Sequence, residues 1–289
     1  MNKSREESPE LAKSNLNFFY KKSSFFDKIN WIFSNFGHIL HKNFDENKEF
    51  IMDKLEFGEE FYSILEKYIS KERLENYGAK DNASEQIKLA RYLKNIAISQ
   101  SLYLSLHFFE IIFRNKINDA FIMLYSNEEW YETVTLHLYS ENMLKKAIKK
   151  LIEHKKHYNN GDVISALCFG FWTSLFDKNN EQYQFQRFIC KNIFSNCNQE
   201  QRKTQDIYKK VEKIRILRNR VFHYERIIHW KDLQDQHNQI LLLIKYMDQD
   251  LYEMIISMDR FDDVYNCPLT KWIDLSEEYL NKYKTTNKH

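Results

Sequence analysis

Glycine and proline are scarce in this chain of 289 residues, which contains 5 glycines and 2 prolines. Because these two residues provide most tight turns, their scarcity disfavours many-stranded sandwiches and barrels. The glycines also lie far apart, so no glycine-rich phosphate-binding loop can be read from the sequence. Leu, Ile, Lys and Glu, which favour helices or are tolerated in them, are abundant. The composition therefore predicts an all-α fold.

Closely spaced cysteines, long apolar runs and an excess of one charge are also lacking. The 4 cysteines have no CxxC spacing, which predicts free thiols of a cytoplasmic protein rather than a disulfide framework or a zinc site. We expect no transmembrane helix and no signal peptide, because no run of about 20 apolar residues occurs and the N-terminal segment is polar. The net charge of +2 neither requires nor excludes nucleic acid, which would need clustered basic residues.

What the chain does have is apolar residues at helical spacing, with 43% hydrophobic and 16% aromatic residues, enough for a core. The longest periodic stretch, 85–125, contains neither Gly nor Pro and predicts one very long buried helix or two in line, capped by Asn82 or Ser84. Further helices are predicted within 16–41, 46–70, 140–156, 162–176 (with Asp162 as N-cap), 181–194, 200–222, 231–257 and 269–284. We interpret these elements as an N-terminal helical region (1–84), a helical domain (85–260) and a C-terminal helix packing on the bundle (261–289).

The segment 214–229, IRILRNRVFHYERIIH, ends an apolar stripe with three polar side chains. On a helix, Asn219 and His223 lie about 40° apart and Arg218 about 140° from His223, so the three can line one concave surface. Arg matches phosphate oxygens, His transfers protons near neutral pH, and Asn forms hydrogen bonds without charge. The set suits phosphodiester chemistry on RNA, although a histidine at a helix end can also be only a favourable partner of the helix dipole.

The string RNRVFHYE resembles the R-N-x3-H form of the Rx4-6H signature of HEPN domains, which are all-α and in many cases metal-independent ribonucleases. Residues 107–121, with an E-x3-R-N pattern, and residues 162–176, with FGFW, resemble the Abi-like (abortive infection, AbiD/AbiF-type) branch in the same order. The resemblance covers roughly 85–250 and implies a HEPN-type helical bundle, here with additional N-terminal helices. It departs from the family at Tyr224, where a second His is common.

The resemblance implies an RNA-cutting effector of antiphage defence or of a toxin–antitoxin system, cytoplasmic, without a membrane and without metal or other cofactor. RNA is the expected partner, as substrate and as an associated small non-coding RNA. We expect His223 to act as general acid/base, Arg218 to clamp the phosphate, and Asn219 to orient His223 or the phosphate. A base and an acid on opposite sides of the phosphate are best provided by two histidines, so one motif per chain predicts a homodimer with both motifs at its interface.

Other residues of the resembling segments are candidates for supporting the site or contacting RNA. Glu110 and Arg114 lie one helical turn apart and can form an ion pair that fixes the central helices. Alternatively, Glu110 orients Arg218 while Arg114 and Asn115 line the RNA cleft. Arg220 and Tyr224, within and next to the motif, belong to the same supporting set.

Metal binding is not expected. The pairs His38/His41 and His154/His157 have helical spacing but no further ligands of recognised spacing. The lysines of 145–156 form a basic stripe, for which a solvated helix face is the default interpretation and a phosphate-binding face the alternative.

Other aromatic and histidine side chains are not assigned to the catalytic set. Phe169, Phe171 and Trp172 are expected in the core rather than stacked on bases, because their neighbours are apolar. His229 and His237 are expected at the surface or beside the site. Two other functions stay open: a non-cleaving HEPN scaffold that binds a small non-coding RNA, and a helical protein-interaction module.

Overall fold

The computed structural model describes residues 61–154, 157–177 and 183–286. All regular structure in these ranges is helical and no strand occurs in them, which confirms the predicted all-α class. The helices predicted within 16–41 and most of 46–70 lie outside the described residues, as does the His38/His41 pair. Residues Glu60–Thr285 belong to one compact unit. The proposed domain limits at 84 and 260 stay predictions.

The described α-helices range in length from 5 to 41 residues. A π-helical turn (Glu66–Ser70) joins the first two, and a 3₁₀ helix (Trp130–Glu132) follows the third. The α-helices are α1 (Phe61–Leu65), α2 (Lys71–Glu75), α3 (Glu85–Tyr125), α4 (Leu138–His154), α5 (Asn160–Ala166), α6 (Phe169–Ser174), α7 (Tyr183–Ile193), α8 (Thr204–Phe222), α9 (Leu233–Met247), α10 (Gln249–Met258), α11 (Phe261–Asn266) and α12 (Leu269–Thr286).

Helix α3 is one continuous helix, the first of the two predicted alternatives. Ser84 is its N-cap, and its hydroxyl accepts a hydrogen bond from the Ile87 N–H at 3.4 Å. The helix is long and apolar enough to cross a membrane by length and composition. However, it packs against α7, α9 and α11, and side chains along it, including Phe109 and Phe113, are fully buried. A core helix of a globular bundle passes the same length and composition test.

Helix α6 carries the FGFW sequence into the centre of the core. Phe171 and Trp172 are completely buried and Phe169 is 3% exposed, which confirms that these aromatic side chains pack in the core. Burial of one such side chain stabilises the fold by about 1.5–3 kcal/mol. Because α6 packs against both α3 and α8, this aromatic segment fixes the relative position of the two helices that carry the candidate site.

Three local expectations were wrong. Asn159, not Asp162, caps α5: the Asn159 side chain accepts from the Asp162 N–H at 3.0 Å, and the Asp162 carboxylate accepts from the Asn159 N–H at 3.1 Å. This is a reciprocal capping box, in which Asp162 takes the third helical position. The predicted helix within 162–176 divides into α5 and α6, because Leu167 and Cys168 are extended. The predicted helix 231–257 divides into α9 and α10 at Asp248, which is extended and caps α10 through the Leu251 N–H.

Candidate active site at the end of helix α8

Helix α8 presents the R-N-x3-H motif at its C-terminal end. Arg218 and Asn219 are half-buried, whereas His223, the C-cap residue, is exposed. The opposite side of the helix is held in the core against α3 and α6. Its buried residues have the spacing seen in the sequence: Ile207, Val211, Ile214, Leu217 and Val221.

The helix ends abruptly after the motif in a Schellman arrangement. The Tyr224 N–H donates to the Val221 carbonyl at 3.1 Å and the Glu225 N–H to the Arg220 carbonyl at 2.8 Å. Tyr224 has φ 59°, a left-handed conformation that glycine normally takes and that costs another residue about 1 kcal/mol. Its side chain is 78% exposed, so no packing of the ring accounts for this conformation. The turn places His223 at the surface, one residue beyond the last helical position.

Asn95 of α3 holds the segment that follows the motif. This side chain is 3% exposed, and its amide oxygen accepts hydrogen bonds from the backbone N–H groups of Ile227 at 2.8 Å and Ile228 at 3.0 Å. Its amide nitrogen donates to the Glu225 carbonyl at 3.4 Å. We did not predict this role. The available signal was a polar residue inside the longest apolar stretch, which requires partners when it is buried.

Arg218 is fixed by contacts on three sides. Its Nε and Nη2 atoms donate to the two carboxylate oxygens of Glu110 at 2.9 and 3.4 Å, and its Nη1 atom donates to the Asn219 side-chain oxygen at 3.3 Å. The guanidinium carbon lies 4.6 Å from the centre of the Phe222 ring. These bonds leave one N–H on each terminal nitrogen for another acceptor.

Glu110 therefore pairs with Arg218 of a different helix, and the alternative pair with Arg114 is not formed. Arg114 is half-buried, and its Nε atom is buried without a hydrogen-bond partner among the described residues. Asn115 is exposed. Since Arg114 follows Glu110 by one turn, it adds a cation near the Glu110–Arg218 pair that no described carboxylate neutralises.

Two candidates lie apart from this contact network. Arg220 pairs with Glu225 at 3.0 Å and lies over the Trp230 ring at 5.4 Å. Tyr224 is connected to the bundle through its backbone, because its carbonyl accepts from Arg73 Nη1 at 3.4 Å. The structure thus brings Glu110, Arg218 and Asn219 into direct contact, with the exposed His223 one turn beyond Asn219. Among the described residues, no hydrogen bond joins the His223 ring to the side chain of Arg218 or Asn219.

We did not predict an aromatic cluster beside Arg218, which is formed by the exposed Tyr103 and His107 and the half-buried Phe222. The Tyr103 ring stacks on His107 with centroids 5.6 Å apart and contacts Phe222 at 5.7 Å. Tyr103 is 52% exposed and His107 is exposed as well. The signal was the spacing, since Tyr103, His107 and Glu110 share one face of α3. Which aromatic side chains stay exposed depends on the packing of α3 and α8.

The other candidates form no comparable site. No group of three or more His, Cys, Asp or Glu side chains that could hold a metal occurs among the described residues. His229 and His237 were both expected at the surface or beside the site. His229 is exposed, whereas His237 is not at the surface: it is 2% exposed, its ring bonds Asp259 at 3.0 Å and it stacks on Phe261 with centroids 4.2 Å apart. Helix α9 turns its apolar face to the core, and His237 lies on that face.

The lysine-rich stripe of α4 is partly neutralised along the helix itself. Lys145 pairs with Glu141 at 2.5 Å, and Lys149 lies 3.9 Å from Glu153, both as i,i+4 pairs. These side chains are largely exposed, as expected for a solvated face.

Comparison of the chain with protein-family models, curated proteins and solved structures found no match. The likeness to HEPN and Abi-like proteins therefore stays a prediction from sequence motifs.

Proposed function

We propose that this chain is a metal-independent endoribonuclease of the HEPN type. The observation that carries the proposal is the fixed Arg218, held by Glu110 and stacked on Phe222, on the same helix end as the exposed His223. An anchored guanidinium beside an accessible imidazole can bind a phosphate and transfer a proton next to it. The role in bacterial antiphage defence or a toxin–antitoxin system is proposed on the Abi-like resemblance alone, and the cytoplasmic location also on the spacing of the cysteines.

The proposed reaction uses the nucleophile that RNA itself contains. A base removes the proton of the 2′-OH, the 2′ oxygen forms a bond to phosphorus, and the bond from phosphorus to the 5′ oxygen breaks. An acid gives a proton to the leaving 5′ oxygen, so the products are a 2′,3′-cyclic phosphate and a 5′-OH. His223 is the proton-transfer group, and DNA, which lacks the 2′-OH, is not a substrate.

Arg218 would stabilise the negative charge that develops on the non-bridging phosphate oxygens. Its two remaining N–H groups are on the terminal nitrogens, where a phosphate can accept both. Glu110 keeps the guanidinium plane in one orientation, and Asn219 accepts from Nη1 on one side. Because Glu110 offsets the charge of Arg218, Arg114 provides the additional positive charge that attracts the RNA backbone.

The aromatic cluster of Tyr103, His107 and Phe222 supports RNA rather than a small phosphate ester as substrate. Stacking of a nucleobase on an exposed aromatic ring contributes about 1–3 kcal/mol per base and requires an unpaired base. Phe222 contacts both the Tyr103 ring and the Arg218 guanidinium, so a base stacked on Tyr103 would lie next to the phosphate site. We therefore propose single-stranded RNA as the substrate; an associated small non-coding RNA is proposed on the resemblance alone.

Two proton-transfer groups are needed, and one copy of the motif contains one histidine. We propose a homodimer in which His223 of a second copy completes the pair. Within a single chain, His107 on α3 is the alternative, because Tyr103 connects it to Phe222 at the motif. Full cleavage rate by a monomer, lost in His107→Ala, would contradict the dimer and favour this alternative.

The test is cleavage of single-stranded RNA by the wild type and by His223→Ala in EDTA, followed by analysis of the end groups. We expect cyclic-phosphate ends from the wild type and a rate lower by about 10²–10⁴ in His223→Ala. His157→Ala, which removes another exposed histidine away from the motif, is the matched control and should cleave normally. RNA binding without cleavage by the wild type would favour the non-cleaving scaffold. No RNA binding at low salt would favour a helical interaction module.

A further inference from the structure

A cleft of about 370 Å³ opens on another part of this unit, behind the turn that ends the motif. Its walls come from the segment after α2, from α3, from the segment after α8 and from the start of α12. Four cationic residues line it, Lys80, Arg91, Lys94 and Arg226, together with His229. Asp81 is the only acidic residue among the lining residues, and Tyr77 and Ile228 form an apolar wall.

The single carboxylate of the cleft is already matched. Arg91 donates from its two terminal nitrogens to the two oxygens of Asp81, at 2.9 and 2.5 Å, and also to the Tyr77 carbonyl at 2.9 Å. This pair contributes no net charge to the cleft. The remaining cations are therefore the ones that decide which ligand the cleft can take.

Those remaining cations have neutral partners or none. Lys94 donates to the Cys267 carbonyl at 2.6 Å, and Arg226 donates to the Asn76 carbonyl while lying over the Tyr77 ring. Lys80 is exposed and forms no ion pair with a described residue. Three cations without a carboxylate thus surround one cleft in a chain whose net charge is only +2. Such a concentration of charge attracts anions and repels metal ions.

Burial lowers the pKa of two titratable groups of the cleft, and the neighbouring cations lower one of them further. Burial lowers the pKa of Lys94. The pKa of His229 is lowered by burial first, and then by the neighbouring cations Arg226, Lys80 and Arg220. A bound anion would oppose these cations and favour the protonated imidazole, so it would raise the pKa of His229.

We propose that this cleft binds the phosphate group of a nucleotide, either free or within an RNA strand. Its volume exceeds what a bare phosphate fills and lies in the range of sites for small organic ligands. The cations provide for the phosphate, while Tyr77 and Ile228 offer apolar surface to the attached nucleoside. The cleft is linked to the candidate active site through the chain, because Arg226 and His229 belong to the segment that Asn95 holds after the motif.

The experiment measures the pKa of His229 by NMR in the His223→Ala chain, with phosphate, AMP, adenosine or a short single-stranded RNA added. This variant removes the proposed cleavage, so the RNA probe stays intact. We expect phosphate and AMP, but not adenosine, to raise the pKa of His229 in a saturable way. Lys80→Gln and Lys94→Gln should each weaken AMP binding by roughly tenfold, since each removes one charge-assisted contact. Lys213→Gln, at an exposed position of α8 outside the cleft, should leave AMP binding unchanged.

The two sources of the phosphate differ in affinity. RNA that binds much more tightly than AMP, with the same dependence on Lys80, identifies the site as part of an RNA-binding surface. AMP that binds as tightly as RNA identifies a free nucleotide as the ligand. An unchanged pKa of His229 with millimolar phosphate and AMP overturns the proposal, as does equal weakening by Lys213→Gln. Because this experiment measures binding without cleavage, its outcome is independent of the proposed nuclease activity. The nuclease proposal can fail while phosphate binding in the cleft is confirmed, and phosphate binding can fail while the nuclease proposal is confirmed.

Discussion

His223 and His237 lie close together in the sequence, yet the structure treats them in opposite ways. His237 is buried on the core face of α9, bonded to Asp259 and stacked on Phe261. His223 is exposed at the end of α8, on the helix that carries the anchored Arg218. A buried imidazole with a carboxylate partner contributes to stability, whereas an exposed one near a fixed cation is available for chemistry. The difference depends on partners from other helices, not on the residue type.

The aromatic residues of α6 and of the cluster beside Arg218 repeat this contrast. Phe171 and Trp172 are completely buried and hold α6 against α3 and α8. Tyr103 and His107 are exposed, although they also lie in a strongly apolar segment. A large exposed aromatic surface is the informative case, because burial is the ordinary fate of such side chains.

After His223→Ala, the largest expected effect on cleavage is at the anchored cation. Arg218→Lys should lower the rate of RNA cleavage by about 10²–10³, because a lysine cannot keep two bonds to Glu110 and still offer two N–H groups to a phosphate. Cleavage rates at saturating RNA measure this. The matched control is Arg220→Lys, whose guanidinium pairs with Glu225 at the surface, and its rate should stay near that of the wild type. A rate for Arg218→Lys within about threefold of the wild type would remove Arg218 from the mechanism.

A smaller effect, on stability instead of activity, is expected at His237. His237→Ala should lower the free energy of unfolding by about 2–4 kcal/mol, because it removes a packed ring and leaves the Asp259 carboxylate without this partner. Urea unfolding measures the change. His229→Ala, at an exposed position, should change the stability by no more than about 0.5 kcal/mol. If the two variants were equally stable, the structural role assigned to His237 would be wrong.

The smallest expected effect concerns the side chain that positions the turn after His223. Asn95→Ala should cost about 1–3 kcal/mol of stability, because the N–H groups of Ile227 and Ile228 lose their acceptor. It should also reduce cleavage, since the turn places His223. Asn95→Asp keeps an acceptor and should restore part of the stability and part of the cleavage rate. Asn115→Ala, at an exposed position of the same helix, should change the stability little. Urea unfolding and cleavage rates are measured on the same variants. If Asn95→Ala lowers neither the stability nor the cleavage rate, the turn holds without Asn95.

Much of the fold follows from patterns within single segments. The apolar spacing of α8, the uninterrupted stretch of α3 and the burial of the FGFW segment were all predicted. The division of 231–257 at Asp248 and the division of 162–176 before α6 were not predicted. An extended residue that precedes the next helix leaves the apolar periodicity almost unchanged. Glu110 and Arg218 were both singled out, but the sequence left two partners open for Glu110.

The sequence by itself determined the helical class and the position of Arg218, Asn219 and His223 at the end of α8, because helix periodicity is local. Only the tertiary structure decided that Glu110 pairs with Arg218, that Asn95 holds the following turn, and that Tyr103 and His107 stay exposed. The same holds for the basic cleft, whose four cations come from three separate segments. Each of these features joins residues far apart in the chain, and their contacts depend on how the helices pack, which no local pattern specifies.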